Sequence, residues 1–403
     1  MKAVVFQGVG DIRLEDVPDP EIKEPFDAIV RITTSAICGT DLHMIRGTMS
    51  GMVPGTILGH EGVGVVEAVG SHVRNLLPGD RVVIPSTIAC GYCSYCRAGY
   101  YSQCDNANPN GKRAGTAFFG GPKASGPFNG LQAQRARIPF ANTGLFKLPD
   151  SVSDDQAILI SDIFPTGFFG ADIAEIREGD TVAVFGCGPV GLFTIESAKL
   201  LNAGRILAVD QLDYRLEKAR ELGAEIINFS REDPVQVMLE LTGGIGPDRV
   251  IDAVGIDAEP PASGPAAGKA KKERKKHRQE IEAVAPEAAE SGSWHPGRAP
   301  TQALNWCIES LCKAGTLSII GVYPETVESF PIGKAMMKNL TINMGNCNHR
   351  KYIPRLLEIV SAGMADPTTV LSHVIPFTDV VDAYNRFNER QPGWTKVAMT
   401  VEG

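Results

Sequence analysis

The rhythm of apolar and polar positions changes twice along this chain. Over roughly the first 160 residues, short apolar runs at 3–6, 28–33, 64–69 and 81–85 alternate with Gly, Pro and Asp turns. That texture predicts a β-rich domain. Residues 105–130, laden with proline and glycine, predict an irregular loop. Near Pro165 the pattern shifts. Residues 181–185 read as a buried strand, a glycine turn follows, and 190–203 carry the apolar spacing of a helix. Strand 205–210, helix 213–224, strand 225–229, helix 233–242 and strand 248–255 come next. Strands and helices alternating at this length predict an α/β domain with a doubly wound parallel sheet, which 316–321 and 340–345 complete.

The segment 257–299 breaks the alternation. It opens on Pro, Ala and Gly, runs through a lysine- and arginine-rich stretch at 269–280, and ends in Ser, Gly, Trp, His and Pro. A structureless loop of that length is unusual inside a domain, so it reads as a surface insertion whose middle forms a charged helix. A solvated helix suits it better than a nucleic-acid patch. It has no interleaved aromatic residues, and the chain as a whole carries net charge −8.

Composition narrows the class further. A chain of 403 residues, 43% hydrophobic and 21% charged, has material for two cores and an ordinary globular surface. Its acidic balance argues against nucleic acid or an anionic membrane as partner. No apolar run reaches about eighteen residues, and the first twenty residues lack a signal-peptide core. A cytoplasmic location is therefore expected. In a reducing compartment the nine cysteines, several of them clustered, read as metal ligands before disulfides.

Gly186, Gly188 and Gly191, with Cys187, Pro189 and Val190 between them, fit G-x-G-x-x-G. The motif follows a predicted strand, opens a helix, and precedes a second strand ending in Asp210, nineteen residues after Gly191. That context predicts a Rossmann dinucleotide site. Gly186 permits the tight turn, Gly188 admits the pyrophosphate, and Gly191 lets the helix pack on the sheet. Asp210 would accept from the adenosine ribose hydroxyls and repel a 2′-phosphate, which favours NAD over NADP. Arg215 lies near enough to contact the ribose or soften that preference.

Cys90, Cys93, Cys96 and Cys104 place four thiolates within fifteen residues. A closed four-thiolate shell suits a structural zinc with no open position. An iron–sulfur cluster uses similar spacing. Cys38 and His60, twenty-two residues apart, offer a thiolate and an imidazole of the kind zinc takes. Spacing alone supplies no third ligand.

Together, Cys38 to His43, Gly59-His60-Glu61-Gly62, Gly79-Asp80-Arg81-Val82, the four-cysteine lobe and the glycine turn resemble the zinc-containing medium-chain alcohol dehydrogenase family, in order and across nearly the whole chain. The resemblance implies a β-rich GroES-like catalytic domain, residues 1–160 and 346–403, plus a Rossmann domain, residues 161–345. It implies two zinc ions per chain and NAD, and commonly a homodimer or homotetramer. Cys38, His60 and Asp162 become ligands of a catalytic zinc, with Glu61 as an alternative ligand able to swing in or a carboxylate behind the ligands. Many relatives have cysteine where Asp162 stands. Aspartate there, with the residues around it and after Cys38, is similar to glutathione-independent formaldehyde dehydrogenases and formaldehyde dismutases.

By the same resemblance, Thr40 and His43 form a proton relay from a small alcohol or aldehyde hydrate to solvent. Thr166 and Gly167 make a turn facing the nicotinamide, and Lys396 meets the pyrophosphate. Gly39 stands where some relatives have an arginine for those phosphates. His349-Arg350 are another basic pair for that task, or else an ordinary surface pair. A polyol or secondary-alcohol dehydrogenase is the rival reading within the family, and a catalytically silent NAD-binding scaffold is the rival outside it.

Overall fold

The longest strand of the first unit, Ala28–Ile37, pairs antiparallel with three others: Gly62–Val69, Arg135–Ile138 and Val397–Thr400. A computed structural model describes residues 1–286 and 294–402. Around this strand a seven-stranded sheet runs in the order His373–Pro376, Val397–Thr400, Ala28–Ile37, Gly62–Val69, Arg81–Ile84, Phe146–Lys147, with Arg135–Ile138 off the path. A smaller sheet joins Asp11–Asp16, Lys2–Gly8 and Thr56–Ile57. Val30, Ile32, Val82, Ile84 and Val397 have no exposed surface and form the heart of the core between them. In the register, Ile37 faces Val397. That pairing sets Lys396 beside the end of the strand that leads into Cys38.

The second unit is built on a six-stranded parallel sheet, ordered Glu225–Asn228, Arg205–Asp210, Thr181–Phe185, Arg249–Asp252, Thr316–Ile319, Thr341–Met344. Its first strand in sequence is Thr181–Phe185, and the order reverses direction there. Ligands of such sheets bind outside the carboxyl ends of the strands at that switch point. Ala183, Leu207, Val250 and Leu317 are fully buried at the centre, as central strands covered on both faces require.

The chain divides after Pro165 and after Gly345. The first division falls inside the helix Ile163–Ile173, at the shift in the apolar pattern and five residues later than the boundary of 160 that the resemblance implies. The insertion forms the expected charged helix, Ala267–Val284, with Ala267, Ala270, His277 and Val284 buried. Residues 287–293, the run before Trp294, lie outside the described residues. Trp294 belongs to the first unit, where its ring packs over Gly10 and the β-rich core. The insertion is therefore not wholly a surface feature of the second unit. No helix among the described residues is long and apolar enough to cross a membrane.

Some helices are absent from the simple pattern. Asp154–Ser161 is one, because Ala157 through Ser161 are buried in an unbroken run and give no amphipathic stripe. Its start does carry a signal: Ser153 accepts from the Gln156 backbone and Gln156 reaches back, a capping box.

Candidate metal centre and dinucleotide site

Cys38 sits where strand Ala28–Ile37 gives way to helix Gly39–Ile45. Its backbone N–H donates to Asp41 Oδ2 at 2.9 Å, which closes that turn. His60 follows Gly59, a glycine at φ 88°. A Cβ on Gly59 would fall 2.4 Å from Gln132 Cγ, so only glycine brings the chain through here. Asp162 occupies the non-helical break between Asp154–Ser161 and Ile163–Ile173. These three local devices bring Cys38, His60, Glu61 and Asp162 together, buried, with one ligand atom of each within 4.8 Å of the others. Asp162 Oδ2 lies 3.7 Å from Cys38 Sγ and 3.4 Å from His60 Nε2.

The ionisable groups of this cluster shift one another. Burial pushes the Cys38 thiol up, against the pull of His60. Burial works to lower His60, yet Asp41 and Cys38 hold its imidazole well above the ordinary range. Burial would raise Asp162, but hydrogen bonds from His349 and His60 keep its carboxyl well below the usual carboxylate range. Thiolate, imidazole and carboxylate are a donor set that zinc accepts, with a fourth position open to a substrate oxygen. His60 Nδ1 lies 3.1 Å from Asp41 Oδ1, off the line of a good hydrogen bond. A carboxylate behind a ligating imidazole fixes which nitrogen meets the metal. Asp41 was not singled out from the sequence; its signal was an acid three residues after a helix-capping cysteine.

Two expectations about basic residues need correction. Lys396 is fully buried and does not reach for a pyrophosphate. Its ammonium donates to both oxygens of Glu61 at 2.6 Å and to the Ile37 carbonyl at 2.9 Å, which uses its three N–H groups. Burial pulls the ammonium down, but Glu61 outweighs it and keeps Lys396 a cation. Glu61 belongs to the cluster, yet Lys396 holds both of its oxygens, so it acts behind the ligands unless that pair separates. His349 is buried, and its Nε2 lies 2.7 Å from Asp162 Oδ1. Arg350 donates to the Thr143 carbonyl and lies over the Phe146 ring. Neither is an ordinary surface residue.

Thr40 and His43 lie three apart on helix Gly39–Ile45 and so share a face. Thr40 is partly exposed. His43 is buried, with Nδ1 3.0 Å from Thr48 Oγ1.

The four-cysteine lobe folds on its own short stretch of chain. Cys90, Cys93, Cys96 and Cys104 bring their sulfurs within 4.8 Å of one another, and none is in a disulfide. Backbone N–H groups of Cys90, Cys93 and Cys96 point at sulfurs of Cys104, Cys90 and Cys93, at 3.2, 3.4 and 3.5 Å. Burial opposes ionisation of Cys93, but the backbone N–H groups of Cys96 and Asp105 bring its thiol down to about 7.

In the second unit Gly186 turns at φ 91° directly after strand Thr181–Phe185. A Cβ there would meet Val254 Cγ2 at 2.7 Å, and one on Gly191 would sit 1.8 Å from the Gly186 carbonyl oxygen. Val254 follows strand Arg249–Asp252, so the turn lies at the switch point of the sheet. Gly188 has open space, and Pro189 and Val190 open a helix whose first N–H groups have no side-chain cap. Such an end suits a phosphate. Asp210 Oδ2 accepts from Cys187 N at 2.9 Å, and Oδ1 accepts from Gln211 and Leu212 N. Three of its roughly four acceptor sites are thus used in bracing the turn. Arg215 Nε is buried with no partner, and its Nη1 would stand 3.8 Å from a Cβ on Gly188. An orphaned guanidinium N–H beside an open glycine turn fits the anionic part of a dinucleotide. Thr166 and Gly167 do not form a turn: they lie in helix Ile163–Ile173, and a Cβ on Gly167 would meet the Phe193 backbone at 2.7 Å.

Known proteins share this arrangement. The alcohol dehydrogenase GroES-like domain family matches residues 24–150, and the zinc-binding dehydrogenase family matches 189–262. An uncharacterized zinc-type alcohol dehydrogenase-like protein of Bacillus subtilis is 39% identical over 404 residues, 99% of this chain and 100% of its own. A glutathione-independent formaldehyde dehydrogenase of the same organism is 32% identical over 421 residues, covering 96% of this chain and 94% of its own. The structure of alcohol dehydrogenase TADH from Thermus sp. ATN1 matches with TM-score 0.83 and 34% identity over 100% of both chains.

The Glu61–Lys396 pair generates a stability prediction. Lys396→Met leaves a buried carboxylate without its counter-charge and should cost about 3–5 kcal/mol. The double change Glu61→Gln with Lys396→Met should recover much of that loss. Denaturant unfolding of the three proteins checks both outcomes; a single change with no cost would mean that the pair is not ionised.

Proposed function

This chain belongs to the zinc-type alcohol dehydrogenase family, and we propose that within it the protein oxidises a small alcohol or aldehyde hydrate, formaldehyde foremost, with NAD. The observation that carries the reading is the buried set of Cys38, His60 and Asp162, in which an aspartate supplies the third ligand atom. When bound, zinc would supply Lewis acidity toward a substrate oxygen, and NAD a hydride acceptor. Cys38, His60 and Asp162 would hold the ion. Glu61 and Lys396 cancel each other's charge behind it, and so leave its net charge to the three ligands.

Thr40 stands at the start of the helix that Cys38 caps, where its hydroxyl can take a proton from the substrate. His43, one turn further along, would pass that proton on, since an imidazole titrates near neutral pH. Asp210 would set the preference for NAD, because its carboxylate would repel a 2′-phosphate. Arg215 would meet a ribose hydroxyl or a phosphate with the N–H that has no partner among the described residues.

We also propose that the protein is a homodimer or homotetramer. Support comes from the edge strand Thr341–Met344, whose outer ladder has no partner strand in its sheet, and from the apolar residues near it. Ile332, Met336, Met337 and Met344 are 61–85% exposed. A bare strand edge beside apolar side chains invites a second copy. Light scattering should show at least a dimer, and Met344→Lys should shift it toward monomer; a monomeric parent chain at micromolar concentration would refute this.

Two measurements test the catalytic reading. Purified protein with formaldehyde and NAD, without glutathione, should form NADH. No NADH from formaldehyde, with turnover of other alcohols, would keep the chemistry and move the substrate; silence on all of them would overturn the reading. Asp162→Ala should lower zinc content from two ions per chain to one and abolish turnover. Two zinc ions retained by that variant would remove Asp162 from the ligand set.

A further inference from the structure

We propose that His349 is a positioning residue which, with Ser86, makes Asp162 a one-oxygen ligand; this rests on the reading of Asp162 as the third metal ligand. The two carboxylate oxygens of Asp162 have different surroundings. Oδ2 faces the other candidate ligands, at 3.7 Å from Cys38 Sγ and 3.4 Å from His60 Nε2. Oδ1 faces away from them and accepts from His349 Nε2 at 2.7 Å and from Ser86 Oγ at 3.1 Å. Asp162 is only 8% exposed. At that depth an oxygen turned away from the metal needs donors of its own. Two donors fixed on Oδ1 also stop the carboxylate rotating to offer the metal both oxygens.

The donors are themselves held. His349 Nδ1 lies 3.1 Å from Thr87 Oγ1. Contacts at both ring nitrogens, with Ser86 Oγ also 3.1 Å from Nε2, fix the orientation of the imidazole. Ser86 and Thr87 follow strand Arg81–Ile84, which is locked in the seven-stranded sheet. His349 opens helix His349–Ser361, and Asn348 before it accepts from Ser102 N and Ser102 Oγ, both at 3.0 Å. Sheet and helix thus clamp one carboxylate oxygen from two sides. A cysteine at position 162 would have a single ligating atom and no outer oxygen to satisfy. The clamp is therefore specific to a carboxylate.

The experiment measures zinc retention, by competition with a chromogenic chelator, as well as turnover. His349→Ala should weaken zinc at this site about 10–100-fold, the usual effect of losing a partner behind a ligand. The zinc of the four-cysteine lobe should be unaffected. His349→Gln keeps an N–H donor and should recover part of the loss. The decisive comparison uses Asp162→Cys as background: adding His349→Ala there should change zinc affinity within about twofold, as for uncoupled sites. Unchanged retention in His349→Ala would overturn the proposal. So would an equal loss in the Asp162→Cys background, which would mean that His349 merely packs. If Asp162→Ala loses one zinc while His349→Ala loses none, only the clamp is wrong. If Asp162→Ala loses none, the ligand assignment itself has failed.

Discussion

The first unit is organised by the need to balance buried negative charge. Cys38, Asp41, Glu61 and Asp162 are all buried, and no folded chain leaves such a cluster uncompensated. Lys396 answers Glu61, His60 stands between Asp41 and Asp162, and His349 answers the outer oxygen of Asp162. What is left over, the Cys38 sulfur and one carboxylate oxygen around an imidazole, is a donor set of the kind that zinc takes. Core packing holds this geometry. Gly59 lies against Gln132, whose side-chain amide donates to the Ala36 carbonyl and whose oxygen accepts from the fully buried Tyr384 hydroxyl. Polar groups this deep are tolerable only when nearly all are partnered, and so the pattern is rigid.

The second unit solves a different problem, the close approach of backbone to a bulky anion. Glycines at 186 and 191 are fixed by contacts that a Cβ would violate, and Gly188 is left open. Asp210 accepts three backbone N–H groups and so shapes the turn itself. A change there would disturb the loop.

The parallel sheet was legible because its strands are short apolar runs broken by helices, and the metal-binding lobe because its four cysteines are local. The glycine motif gained its meaning from the strand before it and the acid after it. What stayed hidden depended on long-range pairing. Lys396 looked like a phosphate-binding lysine, because nothing nearby in sequence shows that strand Val397–Thr400 pairs with Ala28–Ile37. His349-Arg350 looked like a phosphate-contacting or surface pair, because Asp162 lies 187 residues away. Asp41 stayed unmarked, because its approach to His60 is made by the fold. In each case the partner came from another part of the chain.

The separation in sequence has an asymmetric consequence for how the two metal-binding regions come into being. The four-cysteine lobe is closed by contacts spanning 14 residues. The buried cluster is closed by a contact spanning 335, from Glu61 to Lys396, the residue just before strand Val397–Thr400. A growing chain therefore carries a complete set of four thiolates long before it can neutralise Glu61. A chain cut just short of Lys396 would keep every proposed zinc ligand and lack both the counter-charge of Glu61 and the strand that pairs with Ala28–Ile37.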